Sequence, residues 1–159
     1  KFNHTQNADE VNLQLRHDRA RSGSTATMVQ ILNNSNSEVG TIKANVSATA
    51  FNTSSDYRLK ENVSYNFDAT SRLKQLKPAR FNFIADETNT TVDGFLAHEV
   101  SSIVPEAITS EKDAVDDEGN IKPQGIDQSK LVPLLTKTLQ EQQATIEALT
   151  ARITALENA

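Results

Sequence analysis

The sequence has no cysteine and no tryptophan among its 159 residues. It can therefore form neither a disulfide framework nor a thiolate zinc site. Aromatic residues make up 5% and hydrophobic residues 36% of the chain, and the mean hydropathy is -0.51. These values are low for one well-filled core, so we expect other copies of the chain to supply part of the burial.

The chain also lacks a broad excess of positive charge and any long apolar run. The formal net charge is -5 and the sequence pI is about 5.2, which disfavours binding to nucleic acid. No apolar run approaches the roughly 18 residues that would span a bilayer, so we predict no membrane segment. Because the chain starts at Lys1 rather than at a methionine, we expect a fragment of a longer protein.

Residues 1–54 contain few apolar side chains. These tend to alternate with other residues, first at Val11, Leu13 and Leu15 and again over residues 42–50. A period of two predicts strands with one buried face. The segments over 21–25 and 33–40 have the Asn, Ser and Gly content of turns. Since small side chains suit a narrow shared core, the pattern favours a thin β stalk in which several copies wind together over an independent sandwich.

After residue 55 the pattern predicts short helices and strands in a small mixed region. In chain order they are a helix that begins at Asp68 or Thr70 and ends before Pro78, a strand with alternating Phe81 and Phe83, a glycine-bearing strand over 92–96, a helix over 97–103, and a hairpin that turns at 117–120.

The sequence of residues 127–157, about the last fifth of the chain, predicts a long helix with a heptad repeat. Its a and d positions are Val132, Leu135, Leu139, Gln142, Ile146, Leu149, Ile153 and Leu156. Three to four sustained heptads indicate a helix that packs on copies of itself, a coiled coil, with dimer or trimer open on core residues alone. Pro133 falls in the first turn, where its missing N–H costs little. An amphipathic helix lying on its own domain is the alternative.

The segment NTSSDYRLKENV, residues 52–63, carries a serine and a lysine where the composition changes. A serine hydroxyl needs a base before it can attack a carbonyl, and a lysine amine serves when burial or a nearby cation lowers its pKa. Ser55 and Lys60 are five residues apart, about 140° around a helix, so they can meet only across a turn or a strand bend. The spacing alone favours simple turn chemistry over catalysis.

The full sequence of this segment changes that interpretation. SDYRLKENV, residues 55–63, resembles the opening signature of the self-cleaving intramolecular chaperone domain at the C-terminus of phage tailspikes, tail fibres and endosialidases. Three later segments resemble that family's later blocks in order and spacing: LKQLKPARFNF, DGFLAHEVSSIVPEAI and GIDQSKLVPLLTKTLQEQQATIEAL. Gln128 departs from the pattern, since relatives often carry an aromatic residue there, which bears on packing more than on chemistry.

The resemblance implies an α+β fold in an intertwined homotrimer. Residues 1–54 would be the end of a triple β-helix-like stalk, and residues 55–159 the chaperone and self-cleavage domain. It also implies that Ser55 is the nucleophile and Lys60 the general base, and that the cut falls at the Ser54-Ser55 bond. Asp56 and Arg58 are expected to support the site, by orienting the turn or pairing with one another, without a catalytic step.

By the same resemblance the protein is an intramolecular chaperone that trimerises, drives folding of the stalk that precedes it, and releases itself as a single-turnover serine peptidase. We expect it in a virion tail fibre or tailspike made in the host cytoplasm. A structural trimerisation tip that never cleaves is the alternative. Receptor binding by the mature fibre and nucleotide binding between chains stay open.

No cofactor or metal is predicted from the sequence. His98-Glu99 begins a pattern that binds zinc only with a second histidine at position 102, and that residue is Ser102. The acidic segment over 113–120 lacks the ligand spacing of a calcium loop and is typical of a solvated hairpin.

Overall fold

The structure, a computed structural model, describes Leu15 and residues 25–159. The chain divides into two compact units, Lys1–Val63 and Ser64–Ala159. The division of roles after Ser54 that the sequence predicts lies inside the first unit and stays a prediction. The predicted strand at Val11 and Leu13 and the predicted turn over 21–24 lie outside the described residues.

The described part of the first unit is an antiparallel sheet of three strands. These are β1 (Ala26–Leu32), β2 (Glu38–Ala44) and β3 (Thr49–Thr53), hydrogen-bonded in the order β1-β2-β3. The turn predicted before β2 is present over residues 33–37. The side-chain oxygen of Asn33 closes it by accepting from the N–H groups of Ser35 at 2.9 Å and Ser37 at 3.0 Å.

The alternating run over 42–50 is two strands and a turn rather than one continuous strand. The side-chain oxygen of Asn45 accepts from the N–H groups of Ser47 at 2.9 Å and Ala48 at 2.8 Å, which reverses the chain between β2 and β3. Val46, at an apolar position of the alternation, is 81% exposed in this turn. A local hydrogen bond to asparagine therefore overrides the period-two pattern.

The sheet buries little within its own unit. Among residues 25–53 only Gly40 and Thr41 are buried, and every residue of β3 is exposed, including Phe51. A Cβ added at Gly40 would lie 3.1 Å from the Asn52 carbonyl oxygen, so glycine permits the close approach of β2 and β3 there. A sheet of this size needs an apolar face that something covers, and its own unit supplies no such cover among the described residues.

The second unit is a small mixed α/β body, as predicted in outline. Its elements are α1 (Ala69–Leu73), β4 (Ala79–Phe81), β5 (Val92–Gly94), α2 (Ala97–Val100), β6 (Ile108–Thr109), β7 (Gly125–Ile126) and α3 (Val132–Glu157). β4 pairs with β5 and β6 with β7, both antiparallel. Asp68 caps α1 by accepting from Ser71 N–H at 3.1 Å, so the helix begins at the first of the two starts that the sequence allows, Asp68 rather than Thr70.

Several elements are shorter than the sequence predicts. Phe83 lies beyond the end of β4, where its ring packs edge-on against Phe81 with centroids 5.4 Å apart. β5 ends at Gly94, and α2 ends at Val100 and passes into a turn. The predicted hairpin is present as a single bridge between Val115 and Ile121, with Gly119 at a φ of +84° in its turn.

The core of the second unit is small. Its buried apolar residues are Ala69, Val100, Val104, Ala107, Leu131 and Leu134, with six more partly buried around them. The guanidinium of Arg72 on α1 donates twice to the Ile103 carbonyl oxygen, at 3.1 and 2.8 Å, and so ties α1 to the segment after α2. No helix within residues 25–159 is long and apolar enough to cross a membrane.

Helix α3 uses two different faces. Its buried residues are Leu134 and Thr138, on the half of the helix that packs with α1, where Thr70 donates to the Glu141 carboxylate at 2.5 Å. The predicted heptad residues lie elsewhere on its circumference and are exposed: Val132, Leu135, Leu139, Gln142, Ile146, Leu149, Ile153 and Leu156. The helix does lie on its own domain, but with residues outside the heptad stripe, so the stripe is left uncovered by its own unit.

Thr138 provides a test of this packing. It is 2% exposed, and its hydroxyl has no hydrogen-bond partner among the described residues. We expect Thr138→Val to raise the free energy of unfolding by about 1 kcal/mol, because an unsatisfied buried hydroxyl is replaced by a methyl group. Urea unfolding at one fixed chain concentration measures the change.

Thr138→Ser is the matched control, since it keeps the hydroxyl and removes the methyl group. We expect it to lower the free energy of unfolding by about 1 kcal/mol. A Thr138→Val chain less stable than the wild type would mean that the hydroxyl is satisfied after all, and would contradict the packing described for this face.

Candidate active site

The Ser54 side of the predicted scissile bond is anchored to the sheet. Ser54 N–H donates to the Val39 carbonyl oxygen at 3.0 Å, one step beyond the paired residues Gly40 and Thr53. The hydrogen bonding between β2 and β3 therefore continues up to Ser54, which leaves little freedom to the residue whose carbonyl would be attacked.

The Ser55 side leads directly into a tight turn. Residues Tyr57–Leu59 form a single turn of 3-10 helix, in which Leu59 N–H donates to the Asp56 carbonyl at 3.2 Å and Lys60 N–H to the Tyr57 carbonyl at 3.1 Å. The carboxylate of Asp56 caps the turn by accepting from Arg58 N–H at 2.9 Å. The predicted bond thus lies where the chain passes from strand to turn.

This turn brings together the two residues to which the sequence assigns the chemistry. The Nζ of Lys60 lies 2.8 Å from the Oγ of Ser55 and 3.2 Å from the Ser55 carbonyl oxygen. They meet across a turn, which the five-residue spacing requires. The contact is of the length that a nucleophile and its base need, while the catalytic roles of both residues stay predictions.

Asp56 and Arg58 pair with one another. The guanidinium donates from Nε at 3.0 Å and from Nη2 at 2.7 Å to the two carboxylate oxygens, a forked geometry. The Arg58 side chain is the main cause that lowers the pKa of Asp56, its backbone N–H adds to the effect, and the charge of Lys60 contributes less. Conversely, the carboxylate raises the pKa of Arg58.

The site is open to solvent within its own unit. Ser55 and Lys60 are both exposed, and the apolar neighbours Tyr57 and Leu59 are 81% and 73% exposed. A lysine acts as a base only in its neutral form, which a dry environment favours. Among the described residues of this unit, the contact geometry is therefore present, and nothing excludes water from the contact.

Two hydrogen-bond acceptors at the site could not be predicted from the sequence. The carbonyl oxygens of Val39 and Ser55 are backbone acceptors, which every residue type supplies. Only the strand register that sets Gly40 opposite Thr53 could have pointed to Val39, and this register is fixed by pairing rather than by side-chain identity.

Among residues 25–159, no three histidine, aspartate or glutamate side chains gather closely enough to hold a metal ion. A groove of about 680 Å³ in the second unit is lined mainly by apolar side chains of α1, the start of α3 and the segments beside them. Two of its lining residues, Val132 and Leu135, belong to the exposed heptad stripe. This groove is therefore part of an apolar surface and not a second polar site.

Residues 55–109 match the sequence model of the Peptidase_S74 family, described as the chaperone of endosialidase. The match covers roughly a third of the chain, begins at Ser55, and confirms the family resemblance over these residues. It supports an intramolecular chaperone role and a peptidase-like domain in a phage tail context. The resembling segment GIDQSKLVPLLTKTLQEQQATIEAL lies beyond the match. No curated protein matches the chain.

Proposed function

We propose that residues 55–159 act as an intramolecular chaperone that trimerises, assists the folding of the β stalk that precedes it, and then cuts itself off at the Ser54-Ser55 bond. Ser55 and Lys60 carry out this self-cleavage, as nucleophile and general base. The preceding stalk and two further copies of the same chain are its partners, and it needs no cofactor. The released fibre would be part of a phage virion.

One observation carries the proposal. The Lys60 amine lies 2.8 Å from the Ser55 hydroxyl, at the residue where the match to the chaperone family begins. A serine and a lysine five residues apart have no general reason to be in contact. Here the Asp56-capped turn and the anchored Ser54 place them at the junction of strand and turn.

The chemistry begins as a transfer of the acyl group from nitrogen to oxygen. Neutral Lys60 takes the hydroxyl proton of Ser55, and the Oγ attacks the carbonyl carbon of Ser54. The resulting ammonium gives this proton to the Ser55 nitrogen, the C–N bond breaks, and an ester joins the Ser54 acyl group to the Ser55 Oγ. Because the nucleophile follows the scissile bond directly, proximity costs little.

Water completes the reaction. Lys60 takes a proton from the water as its oxygen adds to the Ser54 carbonyl carbon, and the Ser55 Oγ leaves with that proton. The products are a carboxylate on Ser54 and a free amine and hydroxyl on Ser55. One N–H of the Lys60 amine donates to the Ser55 carbonyl oxygen at 3.2 Å, which would hold a neutral amine in place and leave its lone pair available for the hydroxyl proton.

Assembly would supply the burial that the described part of a single chain lacks. The dyad is exposed within its unit, and so are the heptad stripe of α3 and the sheet residues around Phe51. Packing of the stripe against other copies would bury apolar area at about 25 cal/mol per Å². If the same event covers the turn at 56–60, water is excluded from Lys60, and cleavage follows assembly.

Self-cleavage is tested by the intact mass of freshly expressed chains under denaturing conditions, followed over time. We expect the wild type to give two fragments that meet at Ser54-Ser55. Ser55→Ala should stay whole because the nucleophile is gone, and Lys60→Ala should cut at least about a hundredfold more slowly because general-base catalysis is lost.

Ser54→Ala is the matched control, since it removes an adjacent hydroxyl that has no part in the reaction, and it should still cut. Hydroxylamine added during the reaction should appear as a hydroxamate on Ser54, which traps the ester. A Ser55→Ala chain that still separates would exclude the assigned nucleophile. One uncut mass in every chain would instead favour the non-cleaving trimerisation tip.

The pH dependence tests the role of Lys60. Because a general base works only in its unprotonated form, the cleavage rate should rise with pH as the amine loses its proton and level off above that point. Single-turnover rates across about pH 5 to 10 measure it. A rate that does not change over this range would contradict the base role even if Lys60→Ala is inactive.

Self-association is tested at the heptad stripe. The double variant Ile146→Asp with Ile153→Asp places charges at two a positions, and we expect its mass in solution to fall to about a third of that of the wild type. Light scattering after gel filtration measures it. Ala144→Asp with Ala151→Asp places the same charges on the outer face and should leave the mass unchanged; a trimer that survives the isoleucine changes would rule out the stripe.

A further inference from the structure

The forked pair of Asp56 and Arg58 lies beside the amine that must lose a proton. The Asp56 carboxylate stabilises the 3-10 turn that brings Lys60 back toward Ser55, because it caps that turn. Its charge is unfavourable to the chemistry, because a carboxylate near an amine favours the ammonium form, which cannot act as a base. Asp56 and Lys60 flank the same three-residue turn, one before Tyr57 and one after Leu59, and the charge of Lys60 is one of the smaller causes that lower the pKa of Asp56.

The side chain of Arg58 pairs with the Asp56 carboxylate. Its guanidinium donates to both carboxylate oxygens of Asp56, at 3.0 and 2.7 Å, and the backbone N–H of Arg58 donates the capping hydrogen bond to the same carboxylate. Other ionisable groups of the described first unit are Glu38 and Lys43 on β2, Tyr57 on the turn and Glu61 next to Lys60. Of these, Glu38 is engaged by Gln30 at 2.8 Å.

We propose that Arg58 is a positioning residue that masks the charge of Asp56, so that Asp56 can hold the catalytic turn without holding Lys60 in its ammonium form. This inference rests on the proposed function, in which Lys60 is the base. It separates two roles within one pair: the carboxylate sets the geometry of the turn, and the guanidinium sets the charge that Lys60 experiences. Neither residue touches the reacting atoms.

Substitution of Arg58 and substitution of Asp56 should then have opposite effects on the protonation of Lys60. Arg58→Gln leaves the carboxylate unmasked, and the ammonium form of Lys60 becomes more favourable. Asp56→Asn removes the carboxylate and leaves the cation of Arg58, and the neutral amine becomes more favourable. Asparagine caps helical turns about as well as aspartate, so the turn survives this change. A purely structural role would give both variants the same kind of loss.

The direct measurement uses the uncleavable Ser55→Ala chain as background, with the Lys60 side chain followed by carbon-13 NMR against pH. Arg58→Gln should move the titration midpoint of Lys60 up, and Asp56→Asn should move it down, each by about 0.2 to 0.7 pH units, the size of one exposed charge interaction. Arg58→Lys keeps the charge and should return the midpoint most of the way to that of the parent.

The same variants in the cleaving chain should shift the midpoint of the pH–rate curve in the same two directions. Lys74→Gln, a charge change in the second unit, is the control and should shift neither curve. Midpoints that stay together or move in one direction would overturn the masking role while leaving the dyad intact. A wild type that never cleaves would end the proposed function, and the NMR titration would still decide the role of Arg58.

Discussion

A shortage of buried apolar surface is the constraint on which the rest of this structure depends. The second unit has a core of six small or medium side chains, and the described sheet of the first unit buries only a glycine and a threonine. The residues that the structure describes therefore give neither unit much stabilisation from the hydrophobic effect alone. Apolar side chains that a protein would normally bury are instead exposed, in the heptad stripe of α3 and on β3.

Helix α3 uses one set of residues to pack on its own unit and another set to form the exposed heptad stripe. Its first half contributes Leu134 and Thr138 to its own unit, and a different set of positions carries the a and d repeat. The two sets do not compete, because they lie on different sides of the helix. A helix can therefore be docked on its own body and still offer a stripe to other copies. Folding of the unit and the proposed association between chains would then use separate faces of one helix.

The sequence predicted the kinds of elements better than their lengths. Asp68 as a cap, Pro133 in the first turn and the 3,4 repeat are local signals, and each is where the pattern indicates. Strands are present over most of 42–50, as the alternation predicts, but the turn between them is not predicted, because Asn45 closes it by hydrogen bonds that apolar periodicity does not record. At the candidate site, the meeting of Ser55 and Lys60 required a turn, while the backbone partners Val39 and Ser55 could not be named in advance, since any residue supplies a carbonyl.

The position of the predicted cut has a physical consequence of its own. Ser54 is held by the ladder of the sheet, while Ser55 begins a turn held by Asp56. Bond breaking between them would leave each side with its hydrogen bonds intact, so cleavage need not melt either structure. The new carboxylate and the new amine would be free to move apart, and the reverse reaction would then join separate chains. Under the proposed function, cleavage would thereby convert the reversible folding of one chain into an assembly that persists because its disassembly is slow.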